Sequence, residues 1–138
     1  MPYEHVLTVY DGTPESDDLL DMVCRIAKPQ RARLTILIVR TVPLTKPLPQ
    51  YAAGVNAELD ALAQQAEKFA DKRGVKAATA VRYARALGAA VVSEARTRGV
   101  DLVALLMPDV DSLTTSDSDI DKVLRQATGA VMLCRPGS

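Results

Sequence analysis

The residues best suited to chemistry gather in one short segment, MPDVDSLTTSDSDID, which we call the acidic segment, residues 107–121. It contains five aspartates, Asp109, Asp111, Asp117, Asp119 and Asp121. It follows an apolar run and precedes a helical pattern, and a loop between a strand and a helix often holds phosphate. Phosphate loops use glycine to close backbone N–H groups around the anion. The segment has no glycine, lysine or arginine, so its side chains favour a cation such as Ca²⁺ or Mg²⁺ over phosphate.

Helix capping is a competing interpretation of the acidic segment. The segment is not an EF-hand loop, because it lacks the glycine at position 6 and the glutamate at position 12 of that motif. Asp and Ser commonly cap helices and keep exposed loops polar. Ser116 or Ser118 would then be the N-cap, and Asp119 and Asp121 would favour the first helical turn. We therefore favour capping and predict no metal site.

Hydrophobic patterning predicts alternating strands and helices. Strands are expected at residues 5–10, 34–42, 76–83, 101–107 and 130–134, and helices at 14–28, 56–73, 87–98 and 118–127. This order indicates right-handed crossovers and a parallel sheet within one α/β domain, residues 1–138, with residues 76–83 at an edge. Thr13 and Asn56 are the expected N-caps of the first two helices. The first helix should end near Lys28, because Pro29 disfavours helical geometry in the residue before it.

Composition narrows the classes of function. Basic and acidic residues both number 17, which argues against a nucleic-acid or anionic-membrane binder. One Phe and no Trp leave little for base stacking. Cys24 and Cys134 have no metal-ligand spacing and are predicted to be buried or half-buried thiols. No signal peptide or membrane-spanning run is recognised, so a cytoplasmic location is expected.

Catalytic groups are sparse. The single histidine, His5, begins the first strand, at the end of the sheet opposite any ligand crevice, and no nucleophile, base and acid can be assembled around it. Four arginines near the third strand and third helix are predicted to form solvated faces: Arg82, Arg85, Arg96 and Arg98. We therefore predict no catalytic residues and no enzymatic activity.

Four stretches in this order resemble the universal stress protein family. They are HVLTVYDGTPESDDLL, ARLTILIVRTV, RGVDLVALLM and DKVLRQATGAVMLCRP, which together span nearly the whole chain. The resemblance implies a Rossmann-like sheet in the order 3-2-1-4-5, of the adenine nucleotide alpha hydrolase type. It also implies a stress-response homodimer joined through the last strand: Val131, Met132, Leu133, Cys134 and Arg135.

Many members of that family bind ATP between the loops after strands 1 and 4. Their phosphate loop carries a Gly-x-x-Gly pair and, further on, Gly-Ser or Gly-Thr. By resemblance, Pro108, Asp111 and Asp117 stand where the family has glycine, and only Ser118 keeps the hydroxyl. Proline donates no N–H, and the aspartates would repel a triphosphate. We therefore expect a degenerate loop that does not bind ATP, and an action through unidentified protein partners.

A small ligand remains the alternative function. By resemblance, Asp11 faces the base and ribose, Val39 helps enclose the base, and Met107 ends strand 4. With Ser118, these residues would hold a nucleotide or an adenosine-like ligand between strands 1 and 4. Turn formation by Asp11 and ordinary core packing by Val39 and Met107 are the competing interpretations. A hydrolase or transferase would need phosphate-binding glycines, which the acidic segment lacks.

Overall fold

The computed structural model describes residues 3–50, 52, 54–108 and 116–135. Strands and helices alternate along these residues, as predicted. They are β1 (His5–Val9), α1 (Pro14–Gln30), β2 (Arg33–Thr41), α2 (Ala57–Lys72), β3 (Ala77–Ala84), α3 (Leu87–Arg98), β4 (Leu102–Leu106), α4 (Asp117–Gln126) and β5 (Ala130–Cys134). The bounds of α3 and β5 coincide with those expected from the sequence.

The strands form one parallel sheet in the order β3-β2-β1-β4-β5, which confirms the expected topology and the edge position of β3. Val6 of β1 pairs with Leu34 of β2 and with Leu102 of β4, so β1 lies in the centre. Side chains alternate between the two faces. Val6 packs in a core with α1 and α2, whereas Leu7 packs in a second core with α3 and α4.

Side-chain caps set the starts of three helices. Thr13 accepts the N–H of Ser16 for α1, and Asn56 accepts the N–H of Leu59 for α2, as predicted. Of the two serines considered for α4, Ser116 is the N-cap. Because parallel strands all run one way and the helices return, the helix N-termini lie at the carboxyl edge of the sheet.

The end of α1 differs from the expectation. The helix continues through Pro29 to Gln30 instead of ending near Lys28. Arg31 then adopts a left-handed conformation with φ of 54° and donates its N–H to the Lys28 carbonyl. A proline in the last turn removes a single helical hydrogen bond, and the Gln30 side chain and Arg31 satisfy carbonyls there.

The four arginines that were predicted to form solvated faces are also structural. Glu94 of α3, whose side chain is only 8% exposed, pairs with Arg82 at 2.6 Å and with Arg98 at 2.8 Å. Arg85 donates to the carbonyls of Val42, Pro43 and Lys46, and Arg96 donates to that of Gln126. Solvation alone therefore does not describe them, because each makes a defined ion pair or hydrogen bond, and those of Arg82, Arg85 and Arg96 link separate elements.

The amino edge of the sheet is held by Asp101, which precedes β4. Its carboxylate accepts the backbone N–H groups of Glu4 and His5, both at 2.9 Å. Burial raises the pKa of the Asp101 carboxyl, but these N–H donors favour its charged form and the net pKa is lowered. Beside it, His5 is buried and its Nε2 lies 2.7 Å from Thr35 Oγ1 on β2.

His5 should make the chain less stable in mild acid. Burial first, and then the charge of Arg33, lowers the pKa of His5 below 6.5. The unfolded chain therefore binds a proton at His5 near pH 6.5, whereas the folded chain binds it only at lower pH. The free energy of unfolding consequently falls as pH drops below that value. We expect the loss to approach about 1.4 kcal/mol per pH unit.

Urea unfolding at several pH values between 7.5 and 5 would measure this dependence. In the His5→Gln variant, which retains a polar side chain without the titration, the slope should be smaller. Equal slopes in the two proteins would contradict the assignment to His5.

Candidate functional site

A narrow crevice opens at the carboxyl edge of the sheet, where β1 and β4 diverge toward opposite crossovers. Its lining is mostly apolar, from Val9, Leu19, Val39, Leu87, Leu105 and Leu106, with Tyr10, Asp11 and Ser16 as the polar residues. The cavity volume is about 40 Å³, which admits only a few water molecules. Ligands of open α/β sheets bind at this position.

Asp11 lies at the mouth of the crevice and is already part of a turn. Its Oδ1 accepts the Thr13 N–H at 3.0 Å and the Thr13 hydroxyl at 2.6 Å. These contacts are those of a side chain that initiates a turn. The intervening Gly12 has φ of +82°, and a Cβ there would lie 2.7 Å from Leu62 Cδ2. The turn therefore holds Asp11 exposed beside the crevice.

Tyr10 forms the polar wall of the crevice, and the sequence patterns did not single it out. Its side chain is buried, its hydroxyl donates to Asp17 Oδ1 at 2.8 Å and accepts from Gln65 Nε2 at 2.7 Å. Burial first, and then Asp17, raises the pKa of the Tyr10 phenol. The phenol is therefore a neutral link between β1, α1 and α2, unsuited to acid–base chemistry near neutral pH.

The predicted site residues are only partly brought together. Asp11 and Val39 both line the crevice. Met107 is 39% exposed beyond the end of β4 and is not among the lining residues. Ser118 lies in the first turn of α4, with its Oγ 2.9 Å from Ser116 Oγ. The crevice therefore contains two of the four residues named from the sequence.

The N-termini of α3 and α4 share one carboxylate. Ser116 and Asp119 form a reciprocal capping box, in which Asp119 Oδ2 accepts the Ser116 N–H at 3.0 Å. The other oxygen, Oδ1, accepts the Gly88 N–H of α3 at 2.8 Å. Ala86, the N-cap residue of α3, supplies no side-chain hydrogen bond. Asp119 therefore caps both helices.

Close packing makes this double cap possible. A Cβ at position 88 would lie 2.9 Å from both Cα and the backbone oxygen of Asp119, closer than real side chains approach. Glycine is therefore required where α3 meets α4. The sequence indicated Asp119 as a first-turn residue of α4, but its contact with a helix 31 residues away had no local signal.

This arrangement puts negative charge at two helix N-termini, which are otherwise favourable places for an anion. Asp119 is 8% exposed, and its carboxylate occupies N–H donors of both helix ends. A second anion about 4 Å away would be repelled by roughly 4 kcal/mol at an effective dielectric of 20. The favourable effect of a helix N-terminus is about 1 kcal/mol at most in exposed positions. The described geometry thus disfavours phosphate at the start of α4.

Metal ligands do not gather in the described part of the chain. Within residues 3–50, 52, 54–108 and 116–135, no three His, Cys, Asp or Glu side chains could hold a metal ion. Asp109 and Asp111 of the acidic segment lie outside the described residues, so the expected absence of a metal stays a prediction. Over the same ranges, no helix is long and apolar enough to cross a membrane.

The buried cysteines agree with the expectation from sequence. Cys24 and Cys134 are both buried free thiols. Burial raises the pKa of the Cys24 thiol to about 11 and also raises that of Cys134. Thiols that stay protonated are poor nucleophiles and poor metal ligands, which leaves packing as their evident role.

Known proteins that are similar to this chain agree with the fold described above. The profile of the universal stress protein family matches residues 2–135. No curated protein matches the chain significantly.

Among solved structures, a universal stress protein in complex with cAMP has a TM-score of 0.75 at 18% identity, with 99% of this chain and 100% of that chain covered. UspA from Lactobacillus plantarum has a TM-score of 0.72 at 20% identity, covering 98% and 99%. The Archaeoglobus fulgidus universal stress protein in complex with dAMP has a TM-score of 0.64 at 13% identity, covering 96% and 98%. At such identities these structures establish the shared fold.

Proposed function

Because the chain belongs to the universal stress protein family, we propose that it is a regulatory stress-response module that does not bind ATP through a phosphate loop. One observation carries this proposal: the Asp119 carboxylate accepts the Gly88 N–H of α3 and the N–H of Ser116, the N-cap of α4. Pro108 supports it, since it supplies no N–H at the start of the segment where the family resemblance implies a phosphate loop. Such a module would act through protein contacts and would not be an enzyme. Its cytoplasmic location remains an expectation from the sequence.

A nucleoside-like ligand without a triphosphate is the second candidate function. Two relatives of this fold are described in complex with cAMP and with dAMP. The apolar crevice, with Asp11 at its mouth and Val39 in its wall, could enclose a base after neighbouring side chains shift. Thermal shifts with adenosine, AMP and cAMP would separate this candidate from the first, because a ligand that binds the folded state raises the melting temperature.

The absence of ATP binding is directly measurable. We expect isothermal titration of micromolar protein with ATP and Mg²⁺ to give no heat beyond dilution, because Asp119 repels the phosphates. A universal stress protein known to bind ATP, titrated in the same buffer, is the positive control. A saturable micromolar isotherm for this chain would refute the proposal.

We also propose that two copies pair through β5. The strand lies at the edge of the sheet, and Val131, Met132 and Leu133 are only half-buried in the single chain. Beside its end, Met22 of α1 is 45% exposed, with its sulfur 3.5 Å from Cys134 Sγ. An apolar edge strand flanked by an exposed methionine invites pairing with another strand. A second copy of this chain is the occupant that the family resemblance implies.

A charge on β5 should separate the two copies. Met132→Lys places an ammonium group in the proposed interface, where it would lack a partner. In a single chain the long lysine stem could reach water from this half-buried site. Light scattering after gel filtration should give the mass of two chains for the native protein and of one for the variant.

The control is Leu44→Lys, since Leu44 is 86% exposed in the loop after β2, away from β5. This variant should keep the mass of the native protein. A native protein that is monomeric at tens of micromolar, or a Met132→Lys variant that remains dimeric, would contradict pairing through β5.

A further inference from the structure

A second cavity lies at the amino edge of the sheet, opposite the crevice. Its volume is about 350 Å³, and its polar lining comes from His5, Arg33, Thr35, Lys76 and Arg98. Ala78 of β3 adds a small side chain to the lining. The cavity thus combines three cationic side chains with two buried polar ones.

The positive charge of this cavity is only partly neutralised. Within the described part of the chain, Arg33 and Lys76 form no ion pair and no side-chain hydrogen bond. Arg98 pairs with Glu94, which Arg82 also contacts. The nearby Asp101 carboxylate is engaged by backbone N–H groups. Among the described residues, Arg33 and Lys76 are therefore left without a carboxylate partner.

His5 supplies a second and independent observation. It is 95% buried, and its Nδ1 is the buried side-chain nitrogen or oxygen that lacks a hydrogen-bond partner among the described residues. Buried polar atoms are rarely left in this state, and a missing ligand or ion is one explanation. When the Thr35 hydroxyl donates to Nε2, the proton resides on Nδ1, which then becomes a donor for an anion.

Nearby charges act on the pKa of His5 in both directions. Burial is the main cause of its lowered pKa, and the charges of Arg33 on β2 and Arg98 on α3 lower it further. The Arg98 backbone, which does not meet hydrogen-bond geometry with Nδ1, and the Asp101 carboxylate act in the opposite direction but do not cancel the effect. The two arginines that lower the pKa of His5, Arg33 and Arg98, both line the cavity.

We propose that this amino-edge cavity binds a small phosphate group, either inorganic phosphate or a compact phosphate monoester. Arg33 offers paired N–H donors to the oxygens, and Lys76 adds a point charge. Thr35 and His5 provide the buried polar floor that distinguishes the cavity from an ordinary basic surface. The site is separate from the β1–β4 crevice, so it stands whether or not the crevice binds a ligand.

The probes are inorganic phosphate and methyl phosphate, titrated into the full chain at pH 7.5 with sodium chloride adjusted to constant ionic strength. Amide and imidazole NMR signals would be followed. We expect saturable shifts at His5, Ala77 and Ala78 with either probe. Tighter binding of inorganic phosphate than of methyl phosphate would identify the free ion as the preferred ligand. Tighter binding of methyl phosphate would identify a monoester.

The Arg33→Gln, Lys76→Gln double variant should weaken phosphate binding at least tenfold. Its NMR spectrum would verify that it remains folded. Lys68→Gln, Lys72→Gln removes the same charge from exposed positions on α2 and should leave the affinity unchanged. Shifts reproduced by chloride, equal weakening in both double variants, or saturable shifts confined to Gly88 and Ser118 at the opposite edge would overturn the proposal.

Discussion

Replacing Gly129 with alanine is expected to destabilise the chain by about 3 kcal/mol, near the upper end of typical overpacking costs. A Cβ at this position would lie 2.5 Å from the Asp101 backbone oxygen and 2.7 Å from its carbonyl carbon. The same oxygen accepts the Ala130 N–H that starts the pairing of β5 with β4. Because the obstacle is backbone, relief requires β5 to move away from β4.

Urea unfolding followed by circular dichroism would measure this loss. Thr128→Ala changes the exposed neighbouring residue and should shift stability by no more than about 0.5 kcal/mol. If Gly129→Ala and Thr128→Ala unfold at the same urea concentration, the contact with the Asp101 backbone does not destabilise the alanine variant and the prediction is contradicted. A loss of soluble Gly129→Ala protein, with Thr128→Ala unaffected, would agree with the predicted destabilisation.

Replacing Asp119 with alanine should cost about 2 to 4 kcal/mol, as the sum of a lost helix cap and an unsatisfied buried N–H. The cap is the hydrogen bond to Ser116, and the N–H is that of Gly88. Hydrogen exchange should accelerate at the starts of both α3 and α4, because one carboxylate serves the two helices.

Asp117→Ala is the matched control, since Asp117 carries the same charge in the same turn of α4 but is exposed. It should cost about 0.3 to 1 kcal/mol, the usual effect of an acidic residue near a helix N-terminus. Asp119→Asn keeps a carbonyl acceptor and should lose less than Asp119→Ala. Faster exchange confined to α4 in Asp119→Ala would contradict the shared cap.

Much of the fold could be predicted because its signals are local. Pro14 after Thr13, Asn56 before α2, and Gly99 after α3 mark helix ends through the backbone geometry of single residues. Nearly continuous apolar strands indicate burial on both faces of a parallel sheet. Pro29 misled because its penalty is smaller in the last turn of a helix, where few hydrogen bonds remain to be lost.

The candidate site was less predictable. Asp11 follows β1 and Val39 lies near the carboxyl end of β2. Both line the crevice, since the topology fixes these positions. Met107 follows a strand end too, but its exposure depends on how the chain leaves β4. Tyr10 was missed because its partners, Asp17 and Gln65, are 7 and 55 residues away, and no local pattern joins them.

The sequence by itself determined the alternation of strands and helices, the parallel sheet and the absence of phosphate-loop glycines, because these depend on residue type and spacing. Only the tertiary structure decided that Asp119 bonds α3 as well as α4, and that His5, Arg33 and Lys76 line one cavity. Such contacts arise when crossovers bring distant segments to the same edge of a sheet. Their energies depend on distances of a few ångströms that hydrophobic periodicity does not encode.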